Sequence, residues 1–184
     1  HINVFATKVG IIKTADEIHG VVLKGVAEDY NWQFFKENLV SGEVFVVNDT
    51  VKSNHILISE EISKQLNLKV ADDLIMYFVQ NPPRVRKFHI KGIYNTAMVD
   101  FDKLFVIADI KHIQSLNSWE INQVGGFEIA IDNFNDLDKI TEKVYEQIPY
   151  DLNAQSVKEK TPQIFDWLDL QDMNVKVILI LMLI

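Results

Sequence analysis

The chain has 184 residues, of which 48% are hydrophobic and 24% charged, a balance typical of folded proteins and not of disordered or fibrous ones. Its net charge of −8 argues against nucleic-acid binding, because phosphate contacts need clustered lysine and arginine. The absence of cysteine excludes disulfides, Cys-ligated metal centres and thiol catalysis. The length suits one unit with two lobes.

The chain is predicted to open with a hairpin followed by a helix. Residues 2–13 and 19–27 are apolar and rich in β-branched side chains, and the polar segment 14–17 between them predicts a turn. Residues 29–39 place apolar side chains at helical spacing and predict a short helix that ends before Gly42.

A strand, a turn and a helix are predicted next. Residues 56–58 predict the strand, and Ser59 is placed to cap the helix that follows it. Two glutamates lie in the first turn of this helix, where the helix dipole favours negative charge. Ile62 and Leu66 are spaced to face inward.

A second hairpin is predicted over residues 74–94. Residues 74–79 and 85–94 are rich in strand-forming side chains and flank a segment that contains Pro82 and Pro83. Two consecutive prolines cannot take part in a β-ladder, so this segment is predicted to form a projecting turn and the stiffest loop of the chain.

Strands and helices alternate in the rest of the sequence. Residues 104–108 predict a buried strand, residues 109–117 a helix, and residues 127–131 another strand. Asn135 is predicted to cap a helix that Pro149 ends.

The last predicted elements are a short strand over residues 154–157 and a long helix that begins at Thr161 and Pro162. Residues 163–184 contain neither glycine nor proline. Residues 175–184 are apolar except for one lysine and are about half the roughly 20 residues that cross a bilayer. We expect a truncated membrane helix there, and a buried terminal strand is the alternative.

Motifs for catalysis and for cofactor binding were not found. The sequence has no phosphate-binding loop, dinucleotide fingerprint, zinc-protease motif or nucleophile elbow, and its five histidines are dispersed. Asp166, Asp169 and Asp172 lie three residues apart, which is typical of a solvated helix face, with a cation site as the alternative. We expect no enzymatic activity, no cofactor and no bound metal; a catalytic set assembled from distant residues is the alternative.

One cluster of positive charge stands out in this acidic chain, formed by Arg84, Arg86, Lys87 and Lys91 on the second hairpin. One interpretation is a solvated hairpin whose cations protect an exposed strand from aggregation. The other is a rigid prong that offers backbone and cations to a partner by strand addition or charge pairing. The residues predicted to bind a partner are Asn81, Pro82, Pro83, Arg84, Val85 and Arg86.

Three segments carry a resemblance to a known family. The order strand, capped helix, polar turn and strand in residues 56–78 is similar to the extracytoplasmic domains of lipoprotein-releasing ABC transporter permeases and of macrolide-exporter permeases. Residues 91–116 resemble the same domains, with an acidic loop between a strand and an apolar strand, and residues 161–184 resemble the entry to the second transmembrane helix. The resemblance covers most of residues 20–184.

The resemblance implies an α+β fold in which a porter-like split β-α-β lobe is interrupted by an inserted α+β lobe. Residues 1–50 and 119–160 are expected to form the porter-like lobe. Residues 51–118 are expected to form the inserted lobe, with the projecting hairpin at residues 74–94. Residues 161–184 are expected to form a helix that enters the membrane.

The resemblance also implies a function. The domain is expected in the periplasm, as a non-catalytic part of an inner-membrane permease that releases lipoproteins from the cytoplasmic membrane. Expected partners are a separate ATPase subunit, a second permease copy or paralogue, and the membrane through the C-terminal helix. One permease of the family carries a hairpin hook that recruits a soluble lipoprotein carrier; Arg84 falls where that hook would be, although the hairpin here is shorter.

Three alternatives remain open from the sequence. Two lie within the same class: the periplasmic domain of an exporter of macrolides or peptides that works with an adaptor, and a permease-like regulator of cell-wall hydrolases. The third is a secreted binding module, which requires residues 175–184 to be a core strand.

Overall fold

A computed structural model describes residues 1–14 and 17–182 of the chain. Its strands are β1 Ile2–Lys13, β2 Ile18–Val26, β3 Leu39–Gly42, β4 His55–Ser59, β5 Asp73–Phe78, β6 Arg84–Tyr94, β7 Phe105–Asp109 and β8 Gly126–Ile129. Its helices are α1 Gln33–Glu37, α2 Glu60–Leu66, α3 Val99–Asp102, α4 Lys111–Asn117, α5 Leu137–Gln147, α6 Val157–Lys160 and α7 Pro162–Met182. The mixed α+β class predicted from the sequence is confirmed.

Six strands pair in a closed ring. Strand β1 is antiparallel to both β2 and β5, β2 is parallel to β7, and β4 lies between β7 and β6. The antiparallel pair of β5 and β6 completes the ring, while β3 adds to β6 and β8 adds to β1. The shortest strand pairing in the ring is that of β4 with β7, in which Leu57 lies opposite Ile107.

Both faces of β4 and β7 are buried. In β4, Ile56 and Ile58 belong to one core cluster and Leu57 to another, because successive side chains of a strand point to opposite faces. In β7, Val106 and Ile107 divide between the same two clusters. The continuous apolar runs of these two strands therefore reflect a strand that is covered on both sides.

Helices α2 and α4 cover the larger core cluster. The Ser59 hydroxyl accepts a hydrogen bond from the Ile62 backbone N–H at 3.1 Å, which caps α2 as predicted. The Asp109 carboxylate accepts from the backbone N–H groups of Lys111 and Ser53, both at 2.9 Å. The buried Asp109 thus fixes the start of α4 and ties the segment before β4 to it.

The chain divides into two compact units, His1–Ala130 and Ile131–Ile184. This boundary differs from the predicted lobe boundaries after residues 50 and 118. The physical reason is the ring, because β1 and β2 from the first predicted segment pair with β5 and β7 from the second. The predicted division into a porter-like lobe and an inserted lobe stays a prediction.

The second unit consists of helices. A capping box begins α6, in which Ser156 accepts from the Glu159 backbone N–H and Glu159 accepts from the Ser156 backbone N–H. The rings of Phe134 and Phe165 stack with 5.8 Å between their centroids. Helix α7 has no buried residue in its described length. Over residues 1–14 and 17–182, no helix has the length and hydropathy that a membrane span needs.

The structure differs from four predictions of local structure. The helix predicted over residues 29–39 is shorter, because Leu39 already pairs with Tyr94 in the sheet. The strand predicted over residues 154–157 is wrong, because the capping box there begins a helix. The predicted cap Asn135 is wrong as well: the side chain that accepts is that of Asn133, and a 3-10 helix precedes α5.

The fourth change concerns the C-terminal segment. A core strand was the alternative for residues 175–184, but residues 175–182 continue α7. The last two residues of the predicted helix, and Ala15 and Asp16 of the predicted first turn, lie outside the described residues.

Two glycines of β2 give a matched test of the packing of α4 on the ring. A Cβ atom on Gly25 would lie 2.6 Å from the Ile110 Cα, whereas a Cβ atom on Gly20 would have no neighbour within 4 Å. We expect Gly25→Ala to lower the free energy of unfolding by about 1–3 kcal/mol through overpacking, and Gly20→Ala to leave it nearly unchanged. Urea unfolding followed by tryptophan fluorescence measures both; equal stability of the two variants would contradict the packing described.

Candidate docking hairpin

The predicted partner-binding residues lie together on one loop and the start of one strand. Strands β5 and β6 form the predicted hairpin, and residues 79–83 connect them, with Phe78 opposite Arg84 beside the loop. Asn81, Pro82 and Pro83 are exposed, as is Val85, while Arg84 and Arg86 are half-buried. The role of these residues in binding a partner stays a prediction.

The base of the loop is anchored to the end of α4. The side-chain amide of Gln80 donates to the Leu116 carbonyl at 3.2 Å, and the Arg84 guanidinium donates to the Ser115 carbonyl at 3.5 Å. Carbonyl groups in the last turn of a helix carry partial negative charge, so they favour a cation. Arg84 therefore has a structural role within the chain and helps to set the position of the loop.

The two lysines of the hairpin are paired with acids, one on the other strand of the hairpin and one on a neighbouring segment. Lys87 and His89 both contact the Asp73 carboxylate, at 2.7 and 3.1 Å. Lys91 contacts Glu43 at 2.7 Å. These hydrogen bonds hold the pKa of each of the two carboxyl groups below its ordinary value, with Lys87 as the first cause at Asp73 and Lys91 at Glu43. The pairs are exposed, so each stabilises the fold only weakly.

Arg86 of β6 and His112 of α4 both have buried polar atoms beside the hairpin. The Arg86 guanidinium donates to the Val85 carbonyl at 3.0 Å, and its Nε atom is buried without a hydrogen-bond partner among the described residues. His112 is 1% exposed; its Nε2–H donates to the Ser53 carbonyl at 2.8 Å, and its ring lies 4.7 Å from that of Phe88. Burial lowers the pKa of His112 to about 4.

The sequence identified the cations but not what they contact. Asp73 lies next to Lys87 because of the strand register, and His112 lies next to the hairpin because of helix packing. The pair of Lys87 with Asp73 can be predicted once the loop length of the hairpin is known, since loop length sets the register. The rings of His55 and His89 also approach each other, to 5.6 Å, across the parallel pair of β4 and β6. In the part of the chain that the structure describes, no three His, Cys, Asp or Glu side chains converge on a metal site.

Comparison with known proteins gives a fold but no family. No family model matches the sequence, and no curated protein matches it. Among solved structures, the chain is similar to the extracellular domain of the noncanonic ABC-type transporter YknZ from Gram-positive bacteria, with a TM-score of 0.54 and 12% identity. That match covers 77% of this chain and 70% of that one.

A second similar structure is the periplasmic region of MacB from Actinobacillus actinomycetemcomitans. Its TM-score is 0.50 with 16% identity, over 79% of this chain and 65% of that one. At such low identity, the likeness concerns the fold. The two structural neighbours are thus the extracellular domain of an ABC-type transporter and the periplasmic region of MacB, and they confirm the predicted fold class as well.

The buried His112 predicts a pH dependence of stability. Its pKa of about 4 in the folded protein lies below the ordinary value of about 6.5, so between these values the unfolded chain binds the proton and the folded chain does not. Stability is therefore lost as the pH falls from about 6.5 to about 4, by on the order of 3 kcal/mol at most.

His112→Gln tests this expectation, because glutamine can still donate to the Ser53 carbonyl but does not titrate. We expect the variant to lose less free energy of unfolding than the original chain over that pH range, as measured by urea unfolding at several pH values. His19→Gln, which removes a histidine at the start of β2, is the control. Parallel pH curves for the original chain and His112→Gln would show that the buried imidazole is not responsible.

Proposed function

We propose that this chain is the extracytoplasmic domain of an ABC-type transporter permease that releases lipoproteins from the cytoplasmic membrane to a soluble carrier. The observation that carries the proposal is the fold, which is similar to the extracellular domain of an ABC-type transporter. In this proposal the domain lies in the periplasm and is not catalytic. A separate subunit hydrolyses ATP, and a second copy of the permease or a paralogue completes the transporter.

The surface of α7 supports the proposed connection to a membrane. From Val175 to Met182 its apolar side chains are between 49 and 78% exposed. In an aqueous environment, an apolar patch of this kind is usually covered by a partner or a membrane. The first turns also expose apolar side chains, but they carry Asp166, Asp169 and Asp172 among them, and these acids suit a solvated segment. In the proposed arrangement the acidic turns remain in water and the apolar turns enter the bilayer.

The hairpin supports the proposed docking of a carrier. Its tip is exposed, and its base is held by Gln80 and Arg84 on α4, so the loop presents a fixed surface. A preorganised loop loses little conformational entropy when it binds. We therefore assign docking to residues 81–86 in the proposed mechanism.

The short connection between β5 and β6 favours a second candidate function. Residues 79–83 make a loop and not a long hook, which leaves a smaller surface for a carrier. An exporter of macrolides or peptides, or a regulator of cell-wall hydrolases, would instead use the same surface for an adaptor or a hydrolase. The captured partner distinguishes these functions.

Photocrosslinking from the hairpin tests the docking role. A photoreactive amino acid placed at Asn81 or Val85 of the full-length protein in cells is expected to capture a small soluble lipoprotein carrier. The same amino acid at the exposed Lys36 of α1 serves as the control and is expected to capture none. Capture of an adaptor or a hydrolase would move the protein to the second candidate, and capture of nothing would contradict docking at the hairpin.

Coupling through α7 gives a separate prediction. Leu168 lies inside α7, where a proline removes a helix hydrogen bond and clashes with the preceding turn, at a cost of about 3 kcal/mol. In the full transporter, we expect Leu168→Pro to reduce lipoprotein release at least about tenfold while ATP hydrolysis stays within about twofold. Leu168→Ala, which keeps the helix, is the matched control. Normal release by the proline variant would contradict coupling through this helix.

A further inference from the structure

Strand β6 has an open edge in its first half. Its residues 84–89 pair with β5 on one side, whereas β4 joins the other side only from His89 onward. The backbone N–H of His89 donates to the Asn54 carbonyl on the β4 side, at 2.9 Å. Because backbone groups alternate along a strand, Val85 and Lys87 point their N–H and C=O groups to that same side.

These backbone groups lack a strand partner. Among residues 1–14 and 17–182, no strand pairs with Val85 or Lys87 on the β4 side. The Val85 carbonyl accepts from its neighbour Arg86 and keeps a second lone pair. Val85 is 47% exposed, so an extended chain can reach this edge. The edge therefore offers two N–H donors and two C=O acceptors at the spacing of an antiparallel or parallel partner.

The two faces beside this edge differ in chemistry. Arg84, Arg86 and Phe88 are alternate residues of β6, so they lie on the same face of the strand. This face carries α4, because Arg84 donates to the Ser115 carbonyl and Phe88 packs against His112. On the opposite face, Val85 lies across from Tyr77, which is 40% exposed. A strand added here would meet Arg84 and Arg86 on one face. On the other face it would meet Val85 and also Lys87, whose charge is paired with Asp73.

We propose that residues 84–88 of β6 bind an extended segment of a partner protein by strand addition, and that this segment alternates acidic and apolar side chains. Because successive side chains of a strand point to opposite faces, the acidic ones would meet Arg84 and Arg86 and the apolar ones would lie beside Val85. The inference rests on the proposed docking role of the hairpin and specifies the chemistry of its partner.

Charge decides against a second copy of this chain as the partner. Residues 84–88 carry three cations and no acid, so pairing two such edges would bring six cations together. Like charges placed across from one another destabilise a strand pair, and the same cations therefore prevent self-association at this edge. A segment with acids at alternate positions has the complementary pattern.

A synthetic peptide tests the inference directly on the 184-residue chain. The probe is fluorescein-labelled Glu-Val-Glu-Val-Glu-Val-Glu, and its binding is measured by fluorescence polarisation. One control peptide replaces every glutamate by lysine. Another keeps the glutamates but is N-methylated at alternate residues, which removes the N–H groups needed for strand pairing and leaves the charges in place.

Protein variants supply the matching controls. Arg86→Glu reverses a charge beside the edge, and Lys36→Glu makes the same change at an exposed position of α1. Val85→Pro removes one N–H that faces the open edge without removing a bond to β5. We expect each control peptide to bind the original chain about tenfold more weakly than the glutamate peptide does. We expect Arg86→Glu and Val85→Pro to weaken binding of the glutamate peptide about tenfold, and Lys36→Glu to change it less than about twofold.

The outcomes separate this inference from the proposed function. Equal binding of the N-methylated peptide would overturn strand addition, and equal binding of the lysine peptide would overturn the choice of an acidic partner. Failure of the glutamate peptide to bind would overturn the inference as a whole. Crosslinking of a carrier from Asn81 in cells, with no binding of the glutamate peptide, would leave the proposed function standing and remove only the edge of β6 as its means.

Discussion

The fold depends on strand β1, which contacts three other strands. It pairs with β2 along nine residues, with β5 through Ile11 and Ile12, and with β8 through its first residues. The short contact with β5 closes the ring, because without it β5 and β6 would form the end of an open sheet. Closure brings buried side chains from all six strands into the larger core cluster, together with those of α2 and α4. Closure also fixes the position of β5, which forms the hairpin together with β6.

The ring also explains why the hairpin has a fixed tip and few free charges. Its loop lies beside the end of α4, whose carbonyls accept from Gln80 and Arg84. Its lysines are paired with Asp73 of β5 and with Glu43. A partner that recognised only free cations would therefore find little to bind. The edge at Val85 and Lys87, which pairs with no strand on the β4 side among the described residues, is a more specific feature, since hydrogen-bonding groups on an open edge call for a partner strand.

The structural neighbours have this fold at 12 and 16% identity. Such divergence is possible because a fold of this kind depends on the alternation of apolar and polar side chains and not on particular residues. The fold alone therefore does not distinguish among transported substrates. Beyond the fold, the exposed apolar turns of α7 and the exposed tip of the hairpin are the features of this chain that support the proposed function.

Local sequence patterns predict most of the secondary-structure elements of this protein. Alternating apolar residues, the Ser59 cap and the consecutive prolines Pro82 and Pro83 act within a few residues, so they predicted both hairpins, α2 and the position of the tip. Where two local signals competed, as at residues 154–157, the capping box prevailed over strand propensity.

Tertiary structure decided which strands became neighbours. The parallel pairing of β4 with β6, the closure of β1 on β5 and the burial of His112 bring together residues that are far apart in the chain. It also decided that Leu39 begins a strand, and that Lys87 and Lys91 are paired while the edge at Val85 is open. The physical reason is that pairing and burial depend on the sum of many weak contacts between distant segments, which no local pattern encodes.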